Sequence, residues 1–178
     1  MKKEQRLHWL ALAALAASSP LALAGQPLVP DVPLSLTLAT EAAQEAVRAC
    51  ESRGYRVSAS VVDAQGVERV LLKGDRSTVH TRETAFKKAY TAVTLGPIFG
   101  ASTTGALTEK ISKTPTGPAL SSVTNVILLA GGVVLTAGGN VVGAIGVGGA
   151  PGGSLDEECA QQGATRISAS LSRSLGGD

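Results

Sequence analysis

The sequence predicts an α+β domain, a central five-stranded antiparallel sheet packed with helices in the order α-ββ-α-(α)-βββ-α. Three observations carry that expectation. Alanine and valine recur at helical spacing in two separated segments, residues 39–50 and 85–93. Short apolar runs follow one another across glycine-bearing turns, which is the pattern of hairpins rather than of strand–helix–strand crossovers. The stretch GGVVLTAGGNVVGAIGVGG, residues 131–149, places glycine where strands turn or are approached closely. A length of 178 residues fits one such domain with a core.

Residues 1–24 stand apart. Lys2, Lys3 and Arg6 precede the apolar run LHWLALAALAA, and Ala22 and Ala24 occupy the small-residue positions before Gly25. This is the pattern of a cleaved secretory signal peptide. The run is shorter than the roughly 20 residues that span a bilayer, and Pro20 interrupts it, so no membrane segment is expected after cleavage. The segment holds three of the 16 basic and one of the 14 acidic residues, which leaves 13 of each. A formally neutral mature chain gives no electrostatic argument for nucleic acid. Met1, His8 and Trp9 leave with the segment, so the mature chain keeps a single histidine, His80. The location expected is secreted or periplasmic. In such an oxidising compartment the even pair Cys50 and Cys159 reads as a disulfide, or alternatively as two small buried thiols. A bridge would close a loop worth up to about 4–5 kcal/mol.

Residues 25–36 carry three prolines and read as an extended leader on the surface. The domain follows over residues 37–170. Thr37 is positioned to cap a first helix with Glu41 in its first turn. Its stripe is Ala39, Ala42, Ala43, Ala46, Val47 and Cys50, and Gly54 stops it. YRVSASVVDAQGVERVLLKGD reads as a hairpin that turns at residues 63–66, where Asp63 is a turn residue rather than half of a carboxylate pair with Asp75. A second helix is expected over residues 78–95, burying Ala85, Ala89, Ala92 and Val93. Arg82, Lys87 and Lys88 are expected to stay wet, with Gly96-Pro97 as the stop. A short helix and a proline-marked loop come next. Three strands are expected at residues 126–129, 133–136 and 141–147, the last two joined by Gly138-Gly139-Asn140. A final helix over residues 155–170 starts at Ser154 as N-cap. Asp156, Glu157 and Glu158 form a solvated first turn, favoured over a metal cluster. Residues 171–178 read as a flexible tail.

The glycine-rich stretch is not a nucleotide loop. Gly146-Val147-Gly148 lacks the third glycine of the dinucleotide fingerprint, and no Gly-Lys-Ser/Thr occurs. It reads as backbone architecture, with Gly146–Gly149 retained as a ligand-facing rim of second rank.

SVVDAQGVERVLLKGD, ETAFKKAYTA, GGVVLTAGGNVVGAIGVGG and DEECAQQGA occur in this order and spacing. Together they resemble the GlcG/HbpS family of haem-binding proteins, related to the C-terminal domain of PduO-type proteins, over residues 36–167. The resemblance implies an antiparallel sheet with helices, a homo-oligomer, and haem as the bound group. Some members are linked to iron sensing or haem breakdown. Gly148 stands where the family more commonly has serine, so any contact by that hydroxyl is lost.

Given that resemblance, the donors can be enumerated. Haem iron takes His, Cys, Met or Tyr. The only histidine candidate is His80, with Tyr55 and Tyr90 as phenolate candidates. His80 stands at the entrance to the second helix, whose positive end disfavours imidazolium and favours a metal-binding ring. The competing reading is a surface histidine with no partner role. Arg76, Arg82, Lys87 and Lys88 are candidates for the haem propionates, and Gly146 and Gly148 for the rim. One histidine cannot build a multi-histidine zinc or non-haem iron centre in one subunit, and no G-x-S-x-G elbow occurs. The expected function is a secreted protein that sequesters or handles haem as a homo-oligomer. The alternatives are an exported accessory protein binding a small organic metabolite, and a weak haem-degrading enzyme.

Overall fold

The computed structural model describes residues 34–173; the signal-peptide segment, most of the leader and the last five residues of the tail lie outside the described residues. Helix α1 (Leu36–Glu51) opens the described domain. Hairpin β1 (Ser58–Asp63) and β2 (Glu68–Lys73) follows, then the long helix α2 (Thr81–Phe99). Short helices α3 (Thr104–Ile111) and α4 (Thr116–Leu120) lead to hairpin β3 (Gly132–Ala137) and β4 (Asn140–Gly148), and α5 (Gly153–Arg173) closes the domain.

The sheet is antiparallel with order β2-β1-β4-β3, so the two hairpins meet through β1 and β4. Among the described residues it has four strands, not the five expected. The apolar run at residues 126–129 stays outside it because its backbone bonds elsewhere. Ile127 N–H donates to the Thr91 hydroxyl on α2 at 2.9 Å, and Val126 N–H to the Val123 carbonyl. Leu128 packs with the Leu107 and Ile111 cluster of α3. A four-residue apolar run is ambiguous by pattern, and here tertiary packing decided it.

Helices α1 and α5 cover one face of the sheet and α2 the other. On the first face Ala39, Ala42, Ala43 and Ala46 pack with Val57, Ala59, Val61, Ile145 and Val147. The same cluster holds Cys50 and Cys159, which are bridged with a Cα separation of 5.5 Å. On the second face Ala89, Ala92 and Val93 meet Val62 and Ala144. The glycine stretch explains how close α2 lies. A β-carbon at Gly146 would collide with the Ala85 carbonyl, and one at Gly148 with the Thr84 hydroxyl. Both glycines are buried against the helix, as backbone architecture requires; of the second-ranked ligand-facing rim, Gly146 and Gly148 face α2, while Gly149 is exposed. Positive φ at Gly138 (54°) and Gly139 (82°) supplies the tight turn between β3 and β4.

Several boundaries differ from expectation. Ser35, not Thr37, caps α1, its hydroxyl accepting Leu38 N–H, which leaves Glu41 beyond the first turn. Of the described leader residues, Leu34 is buried in the core, whereas Ser35 and Leu36 are exposed. Helix α2 starts at Thr81 and runs through Gly96-Pro97. It ends where Gly100 adopts φ 58° and Ala101 N–H returns to the Gly96 carbonyl. This six-to-one bond is a Schellman closure, and it decides the stop. Helix α5 starts at Gly153, placing Ser154 inside it, and extends to Arg173. Burial of Leu171 draws into the helix residues expected in the tail.

Candidate functional site

Residues 74–80 form the loop that carries His80, and it is tied down from several sides. Gly74 N–H donates to the Val57 carbonyl, and the Ser77 hydroxyl donates to the Gly74 carbonyl at 2.8 Å. Lys73 Nζ donates to the Ser77 carbonyl at 2.6 Å. Beneath the loop the buried hydroxyls of Ser58 and Thr81 share a bond of 2.8 Å, and Thr81 Oγ1 also lies 2.7 Å from the Thr78 carbonyl. Arg76 takes φ 62°, a left-handed conformation that costs a non-glycine residue energy and marks a conformation imposed by its surroundings.

This tethered loop holds out an imidazole and an apolar side chain together. Val79 is 76% exposed, and His80 is exposed at the N-cap of α2 while making no capping hydrogen bond. Its Nδ1 lies 3.2 Å from Thr78 Oγ1. Alongside runs a groove of about 320 Å³ between β2 and the first turns of α2, lined by Glu68, Leu71, Val79, Arg82, Glu83 and Phe86. His80 is not itself in the lining; it sits between Val79 and Arg82, which are. Pockets for small molecules run from about 300 to 1,000 Å³, so this one is at the small end and open.

The charges of the groove are not equally available. Glu68 accepts from the buried Ser60 hydroxyl at 2.7 Å. Glu83 pairs with Lys87, whose hydrogen bond and charge hold the Glu83 carboxyl below its ordinary range. Among the described residues Arg82 and Arg76 have no ion-pair partner. Phe86 supplies the aromatic floor and contacts the Tyr90 ring at a centroid distance of 5.9 Å. The sequence reading passed over Phe86; its spacing of four from Arg82 and from Tyr90 was the available signal.

The other sequence candidates have different fates. Lys88, expected to be wet, is 3% exposed and pairs with Asp156, also 3% exposed, at 2.7 Å. It is withdrawn from any ligand because it faces the sheet side of α2, where Gly131 and Gly132 leave room for it. Burial pushes the Asp156 carboxyl up, against the opposing pull of Lys88 and of the Ala150 and Gly149 amides. The acidic first turn of α5 is thus not simply solvated. Asp156 holds Lys88 and the Ala150 amide. Glu157 accepts the Gly105 and Gly131 amides. Glu158 pairs with Arg53. Asp63 is a turn residue, its carboxylate accepting the Gln65 and Val67 amides. Tyr90 packs over Gly66 one turn beyond the groove, and Tyr55 packs against the core of the opposite face.

Among the described residues no group of three or more His, Cys, Asp and Glu side chains is placed to hold a metal ion, and no helix is long and apolar enough to cross a membrane. The donor chemistry beside the groove fits haem: one exposed imidazole, an apolar and aromatic floor, and guanidinium groups without partners.

A family model described as "Haem degrading protein HbpS-like" matches residues 34–165. Among solved structures, a double mutant of HbpS from Streptomyces reticuli is 39% identical, with 84% of this chain and 97% of that chain covered and a TM-score of 0.71. A second HbpS structure is 41% identical, covering 75% and 89%, with a TM-score of 0.68. A structure of a PduOC–haem complex is 26% identical, covering 76% and 95%, with a TM-score of 0.66. No curated protein matches the chain.

Proposed function

We propose that this chain, which belongs to the HbpS-like family, binds haem at the groove between β2 and α2 and sequesters or handles it as an exported homo-oligomer. The observation that carries the reading is His80, held out on a tethered loop next to a groove that offers Leu71, Val79 and Phe86 together with the unpaired Arg82. His80 would offer Nε2 to the iron. Leu71, Val79 and Phe86 would take an edge of the macrocycle, and Arg82, with Arg76 nearby, the propionates. Haem, when bound, supplies an iron that accepts the axial nitrogen and a redox centre. A groove this small covers only part of a porphyrin, so a second copy of the chain is the cover the reading calls for. The solved PduOC–haem complex supports haem as the ligand. Cleavage of residues 1–24 and release outside the cytoplasm complete the proposal.

A titration of the mature protein with haem tests it: a Soret shift at micromolar haem is expected, and its absence would overturn the reading. Loss of that shift in His80→Ala assigns the ligand, whereas an unchanged spectrum would move it elsewhere while leaving haem binding intact. The family's description as haem-degrading favours a second reading, weak turnover of bound haem. Incubation of the complex with peroxide or a reductant decides it, since an intact porphyrin argues for storage alone. The remaining alternative, a small organic metabolite in the same groove, predicts metabolite binding with no Soret change.

A further inference from the structure

The two outer edges of the sheet differ. On β3 the outward amides are taken: Gly132 N–H donates to the Thr104 hydroxyl at 2.8 Å and Val134 N–H to the Ser102 carbonyl at 2.9 Å. On β2 no described residue takes them. Gly74 N–H donates to the Val57 carbonyl across β1, and an antiparallel ladder alternates. Leu72 and Val70, paired with Ala59 and Val61, therefore turn their backbone groups to β1, whereas Leu71 and Lys73 turn theirs outward. Such an unpaired row is a template for another strand, and no proline interrupts it. Charge selects the partner and its direction. Arg69 is engaged by Asp63 at 4.0 Å. That leaves Glu68 at one end of the strand and Lys73 at the other, each with a single side-chain bond, to Ser60 and to the Ser77 carbonyl. A second β2 laid antiparallel sets Glu68 against Lys73 twice, whereas a parallel one sets like charge against like. Two antiparallel copies in one sheet are related by a two-fold axis normal to it, so both α2 helices stay on the same side. Leu71 lines the groove on that side with Val79, Arg82 and Phe86. The two grooves then adjoin across the axis.

We propose that the free edge of β2 pairs antiparallel with the β2 edge of a second copy of the chain and joins the two grooves into one composite site. This deepens the haem reading and rests on it for the ligand, but the pairing is read without haem. Lys73→Glu and Glu68→Lys are each expected to weaken self-association of the mature protein about tenfold in sedimentation equilibrium, because each sets like charges across the axis twice. Mixed in equal amounts, the two variants are expected to associate again, since their mixed pair carries opposite charges at both ends. A thermal melt of each variant alone checks its fold. A native protein that sediments as a monomer, either variant associating as the native chain does, or a mixture that stays apart overturns the proposal. Should a variant fail to fold, hydrogen exchange of the native chain decides. The Leu71 and Lys73 amides are expected to slow as protein concentration rises, and exchange independent of concentration rules the pairing out. If the mixture pairs but the native protein gives no Soret shift, the haem reading falls and the edge stands. If monomeric Lys73→Glu binds haem as tightly as the native protein, the composite site falls.

Discussion

Helix α2 contains two regions of opposite character. At its first turn the side chains of His80 and Arg82 are exposed, and among the described residues the first makes no capping bond and the second no ion pair. Six residues further, Lys88 is buried between helix and sheet and tied to Asp156 of α5. Both regions look alike in sequence, basic side chains on one amphipathic helix. The difference teaches that a charged residue is available to a ligand only when the fold has not already engaged it. Here the test of engagement is the partner, not the residue type.

The largest effect that would sharpen this contrast is at Lys88. Lys88→Met leaves the Asp156 charge buried without its partner and is expected to cost about 3–5 kcal/mol in a denaturant melt. Lys88→Met with Asp156→Asn keeps an acceptor for the Ala150 amide and is expected to recover at least half of that. A single variant as stable as the native protein would break the comparison. Next comes the close approach of helix to sheet. Gly146→Ala pushes a methyl into the backbone of Ala85 and is expected to cost about 1–3 kcal/mol. Gly148→Ser meets mainly the rotatable Thr84 hydroxyl and is expected to cost less, so equal losses would refute the distinction.

A smaller effect follows from pH. Burial raises the Asp156 carboxyl above its value in the unfolded chain, so between those two values the folded state binds more protons. Stability contributed by this group is present below the unfolded value and is lost as pH rises through the folded one. The advantage of native protein over Asp156→Asn should therefore shrink from acid toward neutral pH, and an advantage that grows instead would reverse the sign. The smallest change in stability belongs to the first turn. Arg82→Ala and His80→Ala are each expected to melt within about 0.5 kcal/mol of the native protein. Arg82→Ala should nonetheless weaken haem binding by about three- to tenfold, a salt-sensitive loss. A large loss of stability there would show that this end is structural too.

Patterns confined to one element were legible in the sequence. The alanine stripe of α1, the hairpin turn at Asp63 and the Gly138-Gly139 turn follow from local spacing and turn chemistry. Properties that depend on a distant partner were not. Lys88 reads as a wet basic residue because Asp156 lies 68 positions away. The run at residues 126–129 reads as a strand because nothing in it announces that Thr91 will take the Ile127 amide. Gly146 and Gly148 were legible as architecture, yet only the packed helix reveals which way they face. At the candidate site the imidazole was found by counting histidines, whereas the groove beside it needed β2 and α2 brought together.

The Cys50–Cys159 bridge joins the last turn of α1 to the first turns of α5, and all four described strands lie between them along the chain. A ribosome delivers Cys159 only after all of those strands, and the folded molecule holds the two Cα atoms 5.5 Å apart where α5 lies next to α1. Oxidation thus acts as a seal set on a finished molecule rather than as a guide to building it. With just two cysteines in the chain, the only competing protein–protein linkage is to another polypeptide, so early oxidation of crowded, half-made chains would show itself as covalent dimers.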